Sequence, residues 1–242
     1  MPDIINVCFG IQARSTSVRF PGKILQEIEP GQSMLRYVIR SVDRSAFYLN
    51  RATHRTGIKA SYAVLLPHGD RAAALASRSA PVLEGPEHDV LTRYQMMADQ
   101  MGADYIVRIT ADCPLIPPPL LSDLVNITIH NQYDYCSNVF EIVRTAIDGY
   151  DVEVMSKKAL QWAHDTATDP SDREHVTLIL RGSKRPEWMK MGCAMHFMDD
   201  SSRKCSVDTK EELDQLREDR KRYLEKMRLA EQIFGRSHVH RV

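Results

Sequence analysis

The chain has 242 residues, and its 32 lysine and arginine residues balance 32 aspartate and glutamate residues. This length is enough for one α/β domain with a buried core, or for a domain with a small appendage. Because the net charge is zero, the composition excludes a global electrostatic field that would attract nucleic acid or an anionic membrane, and any anion binding must come from local clusters.

The cysteine and hydropathy patterns indicate a soluble protein of a reducing compartment. Five cysteines occur, an odd number without CxxC spacing, which predicts reduced thiols rather than a disulfide framework or a zinc site. No apolar run approaches the roughly 20 residues that a membrane helix needs, and no signal-peptide pattern precedes the first apolar run. We therefore expect a cytoplasmic protein without a membrane or nucleic-acid partner.

The first chemical signal lies where a short apolar run becomes a polar loop. Residues 4–11 are rich in β-branched side chains, which predicts a buried strand. The following loop carries the cations Arg14, Arg19 and Lys23 and hydroxyls at residues 15–17. Ligands of parallel sheets bind outside the carboxyl ends of the strands, and Arg with Lys suits a polyphosphate. The alternative is a solvated basic loop; the spacing is not that of a P-loop. We expect Lys23 to be an exposed loop cation that contributes little to stability.

Alternating strands and helices follow this loop. Strands are predicted at 62–66, 81–83 and 105–110, and helices at 34–42, 71–78 and 88–101. A further helix is predicted after the prolines at 117–119, ending at about residue 131, and a polar surface excursion is predicted at 49–60. This alternation predicts a doubly wound parallel sheet. Later patterns predict strands at 133–137, 150–155 and 189–198, helices at 156–166 and 171–182, and a terminal helix with a capping box of Thr209 and Glu212. Without a repeat or a clear linker, we expect one domain over residues 1–242.

A carboxylate follows the predicted strand at 105–110. Asp112 should lie on the same rim of the sheet as the basic loop, where a carboxylate beside a polyphosphate is explained if Mg²⁺ bridges the two. The alternative is an aspartate that caps the following turn. The neighbouring Cys113 is interpreted as structural, because phosphoryl transfer needs no protein nucleophile.

Three segments carry a family resemblance. The pattern IQAR-x-x-S-x-R-x-PGK at residues 11–23 resembles the nucleotide-binding signature of the cytidylyltransferases that make CMP-activated sugars. The similarity is greatest to the spore-coat-polysaccharide branch, which is related to the CMP-acylneuraminate and CMP-KDO synthetases. VRITADCPLI at 107–116 and VDTKEEL at 207–213 are similar to the segments that supply two metal-binding aspartates. Thr16 stands where the signature usually has glycine, which removes one place for close approach of backbone to phosphate.

The resemblance implies a role for each matching residue. Nucleotide binding falls to Ala13, Arg14, Ser17, Arg19 and Lys23. The catalytic residues are Arg14, Lys23 and Asp112, and the metal ligands are Asp112 and Asp208. Residues 134–138 and 148–154 also resemble family segments that face the sugar, and residues 171–176 match a further family motif. Acceptor binding falls to residues of these segments: Asn138, Asp151, Glu153, Glu174 and His175. Two structural alternatives remain: Asp208 suits the positive end of the terminal helix, and Ser171 with Glu174 has the spacing of a capping box.

The resemblance also implies the fold and the reaction. We expect a three-layer, Rossmann-like α/β fold of the nucleotide-diphospho-sugar transferase type, mostly parallel, with a small dimerisation extension. Residues 1–132 would bind nucleotide, residues 133–207 would bind the acceptor and a second copy, and residues 208–242 would form the terminal helix. CTP would react with a sugar acid or related acceptor in the presence of Mg²⁺, in a homodimer. The alternatives are a glycosyltransferase of similar sheet type and a non-catalytic nucleotide-binding protein.

Overall fold

The computed structural model describes residues 4–78, 80–139, 146–194 and 204–234, with the backbone alone for residues 223–234. Part of the strand predicted at 189–198 and the end of the terminal helix lie outside these residues. Within them, no helix combines the length and the apolar character needed to cross a membrane.

Nine strands, eight α-helices and one 3₁₀ helix, Lys23–Leu25, are found in the described residues. The strands are β1 Ile5–Gln12, β2 Glu27–Glu29, β3 Gln32–Ser33, β4 Ile58–Pro67, β5 Val82–Gly85, β6 Tyr105–Thr110, β7 Tyr135–Ser137, β8 Glu153–Ser156 and β9 Met191–Cys193. The helices are α1 Met34–Thr56, α2 Arg71–Ser77, α3 Val90–Gln100, α4 Pro118–His130, α5 Lys157–Thr166, α6 Pro170–His175, α7 Leu178–Arg181 and α8 Lys210–Phe234.

Seven strands form one mixed, mostly parallel sheet in the order β5-β4-β1-β6-β8-β7-β9. The pairs β5–β4, β4–β1 and β1–β6 are parallel, whereas β8 is antiparallel to both of its neighbours. In the central pair, Gln12 lies opposite Thr110, so β1 and β6 end at the same level. The loops that follow these two strands therefore begin side by side.

Helices cover both faces of the sheet. Along β1, Val7, Phe9 and Ile11 belong to the core on the face of α1 and α4, whereas Cys8 belongs to the core on the face of α3 and α5. This alternation is what a strand buried on both sides requires. The three-layer α/β architecture predicted from the sequence is therefore confirmed.

The terminal helix α8 packs against the residues that follow the first loop, in β2 and at the start of α1. Its residues Leu213 and Leu216 join Ile28 and Met34 in a separate small core. The capping box at its start is confirmed: the Thr209 amide donates to Glu212 at 3.0 Å, and the Glu212 amide donates to the Thr209 hydroxyl at 3.2 Å. These contacts fix the position of the residues just before α8.

Two predictions about elements are wrong, and one pair of strands was missed. The excursion at 49–60 is the second half of α1 and the start of β4, because Leu49 is buried and Gly57, at φ 70°, ends the helix. The helix at 171–182 is two short helices, separated at Val176, whose φ is 61°. The antiparallel pair β2–β3 was not predicted, since strands of three and two residues carry too short a pattern.

Candidate active site

A cavity of about 460 Å³ opens at the carboxyl ends of β1 and β6. Ten of the predicted site residues line it: Ala13, Arg14, Ser17, Arg19, Lys23, Asp112, Asp151, Glu174, His175 and Asp208. Asn138 and Glu153 do not line it. The structure thus brings together residues from the beginning, the middle and the end of the chain.

Lys23 lies at the centre of this convergence. Its ammonium group donates to Asp112 Oδ2 at 2.9 Å, to Asp208 Oδ1 at 3.1 Å and to the Val207 carbonyl at 2.9 Å. The residue is only 9% exposed, so the interpretation of Lys23 as an exposed loop cation is wrong. The loop turns inward because Gly22 adopts φ 69° and its amide donates to the Ser15 carbonyl at 2.8 Å.

The two predicted metal ligands meet although 95 residues separate them in the chain. The Val207 amide donates to the Asp112 carbonyl at 3.0 Å, which places Asp208 beside the end of β6. Burial alone would raise the pKa of Asp208. The hydrogen bond and charge of Lys23, with the charges of Arg19 and Lys204, outweigh burial and hold that pKa below its usual value.

The loop around Thr16 is held by two carboxylates that the sequence analysis did not single out. Asp70 accepts from the Ser15 amide at 2.7 Å and from the Ser15 hydroxyl at 2.8 Å. The Thr16 hydroxyl donates to Glu87 at 2.7 Å. Thr16 is not among the described residues with positive φ, so this loop accommodates a side chain where the family signature has glycine.

Arg14 reaches the predicted acceptor side of the cavity. Its guanidinium contacts Glu174 at 3.2 Å. The predicted capping box of Ser171 with Glu174 is wrong, because α6 is capped by Asp169, which accepts from the Ser171 amide at 2.8 Å. Glu174 is therefore available to pair with Arg14 across the cavity.

The residue beside Glu174 anchors α6 to the fold. Arg173 donates through Nε to Asp89 at 2.8 Å and through Nη1 to the Ala167 carbonyl at 3.0 Å. Asp89 also caps α3 by accepting from the Thr92 amide at 2.9 Å. This network joins α6 to the start of α3, and so sets the position of Glu174 and His175.

A buried ion pair forms the floor of the cavity. Arg108, which lines the cavity, donates to Glu153 at 2.6 Å, and Glu153 also accepts from the Tyr135 hydroxyl at 2.6 Å. Burial would raise the pKa of Glu153, but the charges of Arg108 and Arg181 outweigh it and keep that pKa low. Glu153 therefore lies beneath the cavity as a charged partner of Arg108.

Asn138 is also bonded within the fold. Its side-chain amide donates to the Tyr150 carbonyl at 2.8 Å and accepts from the Val152 amide at 2.8 Å. These bonds hold the segment that presents Asp151 to the cavity. The acceptor roles of Asn138 and Glu153 stay predictions, and their positions favour support of the acceptor side.

Two further residues bear on the chemistry. Arg93 of α3 lines the cavity, is 3% exposed, and donates to the Leu65 carbonyl at 2.9 Å. The sequence analysis did not identify it, because an arginine within a helical pattern gives no signal of such a role.

The Cys113 thiol lies beside Asp112. Burial, and then the charge of Asp112, raise the pKa of the Cys113 thiol well above its usual value. A protonated thiol agrees with the structural interpretation of Cys113.

Comparison with known proteins assigns the chain to a family. The profile of the family described as "Cytidylyltransferase" matches residues 69–232. The spore coat polysaccharide biosynthesis protein SpsF of Bacillus subtilis is 26% identical over 179 residues, which are 73% of this chain and 70% of SpsF.

Solved structures share the fold. A cytidylyltransferase from Leptospira borgpetersenii superposes with a TM-score of 0.79 at 24% identity, covering 98% of this chain and 100% of the other. A CMP:2-keto-3-deoxy-manno-octonic acid synthetase complexed with CTP superposes with a TM-score of 0.62 at 14% identity, covering 90% and 99%. Since the family profile spans well over half of the sequence, the chain belongs to the cytidylyltransferase family and is a nucleotidyltransferase.

Proposed function

We propose that this enzyme transfers CMP from CTP to a hydroxyl group of a sugar acid or related acceptor, with Mg²⁺ and with release of pyrophosphate. The observation that carries the proposal is the Lys23 ammonium, which lies 2.9 Å from Asp112 and 3.1 Å from Asp208 at the carboxyl rim of the sheet. That rim is where open α/β sheets bind nucleotides. The CTP bound to the synthetase of similar fold supports cytidine as the base.

The cations of the first loop suit the triphosphate. Arg14, Arg19 and Lys23 line one cavity with Ala13 and Ser17. A guanidinium group presents a planar fork to phosphate oxygens, and an ammonium group acts as a compact point charge. These residues would bind the triphosphate and neutralise the charge that develops on the departing pyrophosphate.

The paired aspartates fit a magnesium ion. Asp112 and Asp208 already share one positive group, so the space between their carboxylates suits a cation. Mg²⁺ commonly takes one or two carboxylates from the protein, with phosphate oxygens and water completing its coordination. Within the described residues, no group of three or more His, Cys, Asp or Glu side chains could hold a metal ion. When bound, Mg²⁺ would neutralise phosphate charge.

The reaction is a displacement at the α-phosphorus. An acceptor oxygen forms a bond to that phosphorus, and the bond from phosphorus to the oxygen that bridges to the β-phosphate breaks. The bonding electron pair leaves on pyrophosphate, and the proton of the acceptor hydroxyl passes to water. Asp151, Glu174 and His175 line the acceptor side of the cavity and would orient the hydroxyl for attack.

The assembly expected from the family resemblance extends this proposal. Residues 1–132 would bind nucleotide, residues 133–207 would bind the acceptor and a second copy of the chain, and residues 208–242 would complete the metal site. The enzyme would act in the cytoplasm as a homodimer. The name of SpsF suggests polysaccharide biosynthesis as the setting. Sedimentation equilibrium tests the dimer directly.

Phosphorus NMR tests the reaction. The protein is incubated with CTP, Mg²⁺ and a panel of sugar acids and neutral polyols, and pyrophosphate is expected with a new phosphodiester signal for one acceptor. Asp112→Asn should abolish both signals. Asp123→Asn, at an exposed carboxylate on α4, should leave them unchanged. CTP bound without either product for any acceptor would contradict the proposal. A glycosyltransferase needs a nucleotide sugar as donor and would release no pyrophosphate from CTP.

A further inference from the structure

The Lys23 side chain uses all of its hydrogen-bonding capacity within the protein. A protonated lysine has three N–H donors and no acceptor. The Lys23 ammonium has three acceptors within 3.1 Å: one oxygen of Asp112, one of Asp208 and the Val207 carbonyl. In this arrangement Lys23 offers no donor to a phosphate. A role in triphosphate binding therefore requires the ammonium group to leave at least one of these partners.

The same position is the one that the proposed metal ion needs. Asp112 and Asp208 direct oxygens at one point, and Lys23 occupies it. The two carboxylates remain 31% and 22% exposed, whereas the Lys23 side chain is 11% exposed. A cation in the cavity can therefore reach the carboxylates, although the Lys23 side chain is less exposed than they are.

A divalent ion and the ammonium group cannot both keep these contacts. They would compete for the same oxygens and repel one another at short range. The lysine stem has four carbons and rotatable bonds, so its head can move away while its backbone stays in place. Once displaced, the ammonium group is a partly buried charge without a partner, which is unfavourable unless another anion approaches. The triphosphate is such an anion.

We propose that Lys23 is an internal counter-cation that holds the Asp112–Asp208 pair before loading and transfers its charge to the triphosphate when a divalent ion takes its place. The inference rests on the proposed function for the identity of the anion. Its consequence is a coupling: the divalent ion binds weakly alone, because it must displace an ammonium group that then lacks a partner. Metal and nucleotide each strengthen the binding of the other by the same factor.

Arg19 is an alternative counter-cation that the structure disfavours. Its guanidinium lies 3.1 Å from Asp208 but its side chain is 72% exposed. Exposed ion pairs are screened by solvent and contribute little. Arg19 can therefore leave Asp208 without an unpaired buried charge, and its removal should alter metal affinity much less than removal of Lys23.

Manganese binding without nucleotide provides the test. Electron paramagnetic resonance of free Mn²⁺ is measured with the wild-type protein, Lys23→Met and a control, Lys59→Met, at an exposed lysine of β4. Lys23→Met removes the charge and keeps most of the length. It should bind Mn²⁺ roughly tenfold more tightly than the wild type, a difference of about 1.4 kcal/mol. Lys59→Met should match the wild type, and adding Asp112→Asn to Lys23→Met should remove the gain.

The coupling is measured by repeating the titration with saturating CTP. In the wild type, CTP should increase Mn²⁺ affinity strongly. We define the coupling ratio as the Mn²⁺ affinity with saturating CTP divided by the Mn²⁺ affinity without CTP. In Lys23→Met this ratio should be smaller than in the wild type, because no ammonium group remains to be displaced from the aspartates and paired with the triphosphate. If Lys23→Met folds poorly, Lys23→Gln is used, and Mn²⁺ should raise the melting temperature of that variant more than that of the wild type.

The outcomes separate this inference from the proposed function. Unchanged or weaker Mn²⁺ binding by Lys23→Met, or by Lys23→Gln, would overturn the counter-cation role even if the wild type releases pyrophosphate from CTP. Tighter Mn²⁺ binding by these variants would support the role even if no acceptor reacts. The role would also be overturned if Lys23→Met had the same coupling ratio as the wild type, because Lys23 would then only form a structural ion pair.

Discussion

Three cations from two parts of the chain, the first loop and the segment before α8, lie close to the Asp208 carboxylate. Arg19 and Lys23 each lie 3.1 Å from its Oδ1 atom, and Lys204 lies 3.6 Å from Oδ2. Burial favours the neutral acid, but these partners outweigh burial and lower the pKa of Asp208 in the folded protein. The charged form therefore stabilises the fold, and that stabilisation depends on pH.

The sign of this dependence follows from linkage. A carboxyl group with a depressed folded pKa contributes its full stabilisation above its unfolded pKa, about 3.9 for aspartate, and loses it as pH falls through the folded pKa. We therefore expect the melting temperature of the wild type to exceed that of Asp208→Asn at neutral pH. The difference should shrink below about pH 4. Melting curves from pH 2 to pH 7 measure it, with Asp123→Asn as a control whose difference stays small. A constant difference across this range would contradict the assignment.

Contacts at the site depend on loop paths that local sequence patterns do not encode. The family signature marked Arg14, Lys23 and Asp208, and all three line the cavity. The burial of Lys23 could not be predicted, because it depends on where residues 207–208 pass. Arg93 could not be found either: an arginine within a helical pattern usually indicates a solvated face, and its contacts to Leu65 and Ala13 follow from tertiary packing.

Elements were predicted best where one periodicity was sustained. The strand at 105–110 has the observed bounds, since buried apolar residues are flanked by polar ones on both sides. The second half of α1 was missed, because its exposed face is strongly polar and basic, and Leu49 is the last buried residue of that helix. Short strands such as β2 and β3 depend on pairing with each other and carry little local signal.

One glycine allows the backbone before β8 to lie close to the backbone before α8. Gly149 adopts φ 100°. A Cβ atom there would overlap the Ser206 amide nitrogen and lie 2.6 Å from the Cys205 carbonyl carbon. The Ser206 amide donates to the Asp148 carbonyl at 3.2 Å. The close approach of these two backbones places the residues that lead to Asp208.

Gly149→Ala should therefore weaken both the fold and the site. Backbone strain alone costs about 1–3 kcal/mol, and the steric overlap adds to this cost, so the free energy of unfolding should fall by more than strain alone explains. Turnover should also fall, because the segment that leads to Asp208 shifts. Gly102→Ala is the matched control, since Gly102 has φ 59° with open space around a Cβ atom. Gly102→Ala should lose stability through backbone strain alone and should keep normal turnover. Urea unfolding and pyrophosphate release measure the two effects, and equal behaviour of the two variants would contradict the packing argument.

Three segments that are distant in sequence come together at the cavity. Lys23 follows the first strand, Asp112 follows β6 and Asp208 precedes α8, and the contacts of Lys23 link all three. Each carboxylate thus has two roles: it pairs with Lys23 in the fold, and it is proposed to bind the metal. These roles predict couplings of opposite sign in activity and in stability.

The cycle of Asp112→Asn, Asp208→Asn and the double variant tests both roles. Each single change should greatly reduce turnover, and the second should cost less than the first, because the shared metal is already lost. Stability should behave in the opposite way. Each single variant leaves Lys23 one carboxylate, so the loss is small, whereas the double variant leaves a buried ammonium with neutral acceptors only, the Val207 carbonyl among them. The double loss should exceed the sum of the single losses by about 0.5–3 kcal/mol.

Kinetics with varied Mg²⁺ and urea unfolding without metal give the two measurements. Raising Mg²⁺ should partly restore turnover in the single variants, where one ligand remains, and much less in the double variant. Combining Asp112→Asn with Asp123→Asn should give additive effects, because the α4 carboxylate is exposed and is not among the partners of the Lys23 ammonium, and sites without shared partners usually act independently. If stability losses were additive and activity were retained, the two aspartates would only cap their own segments, and the metal site would have to be formed by other residues.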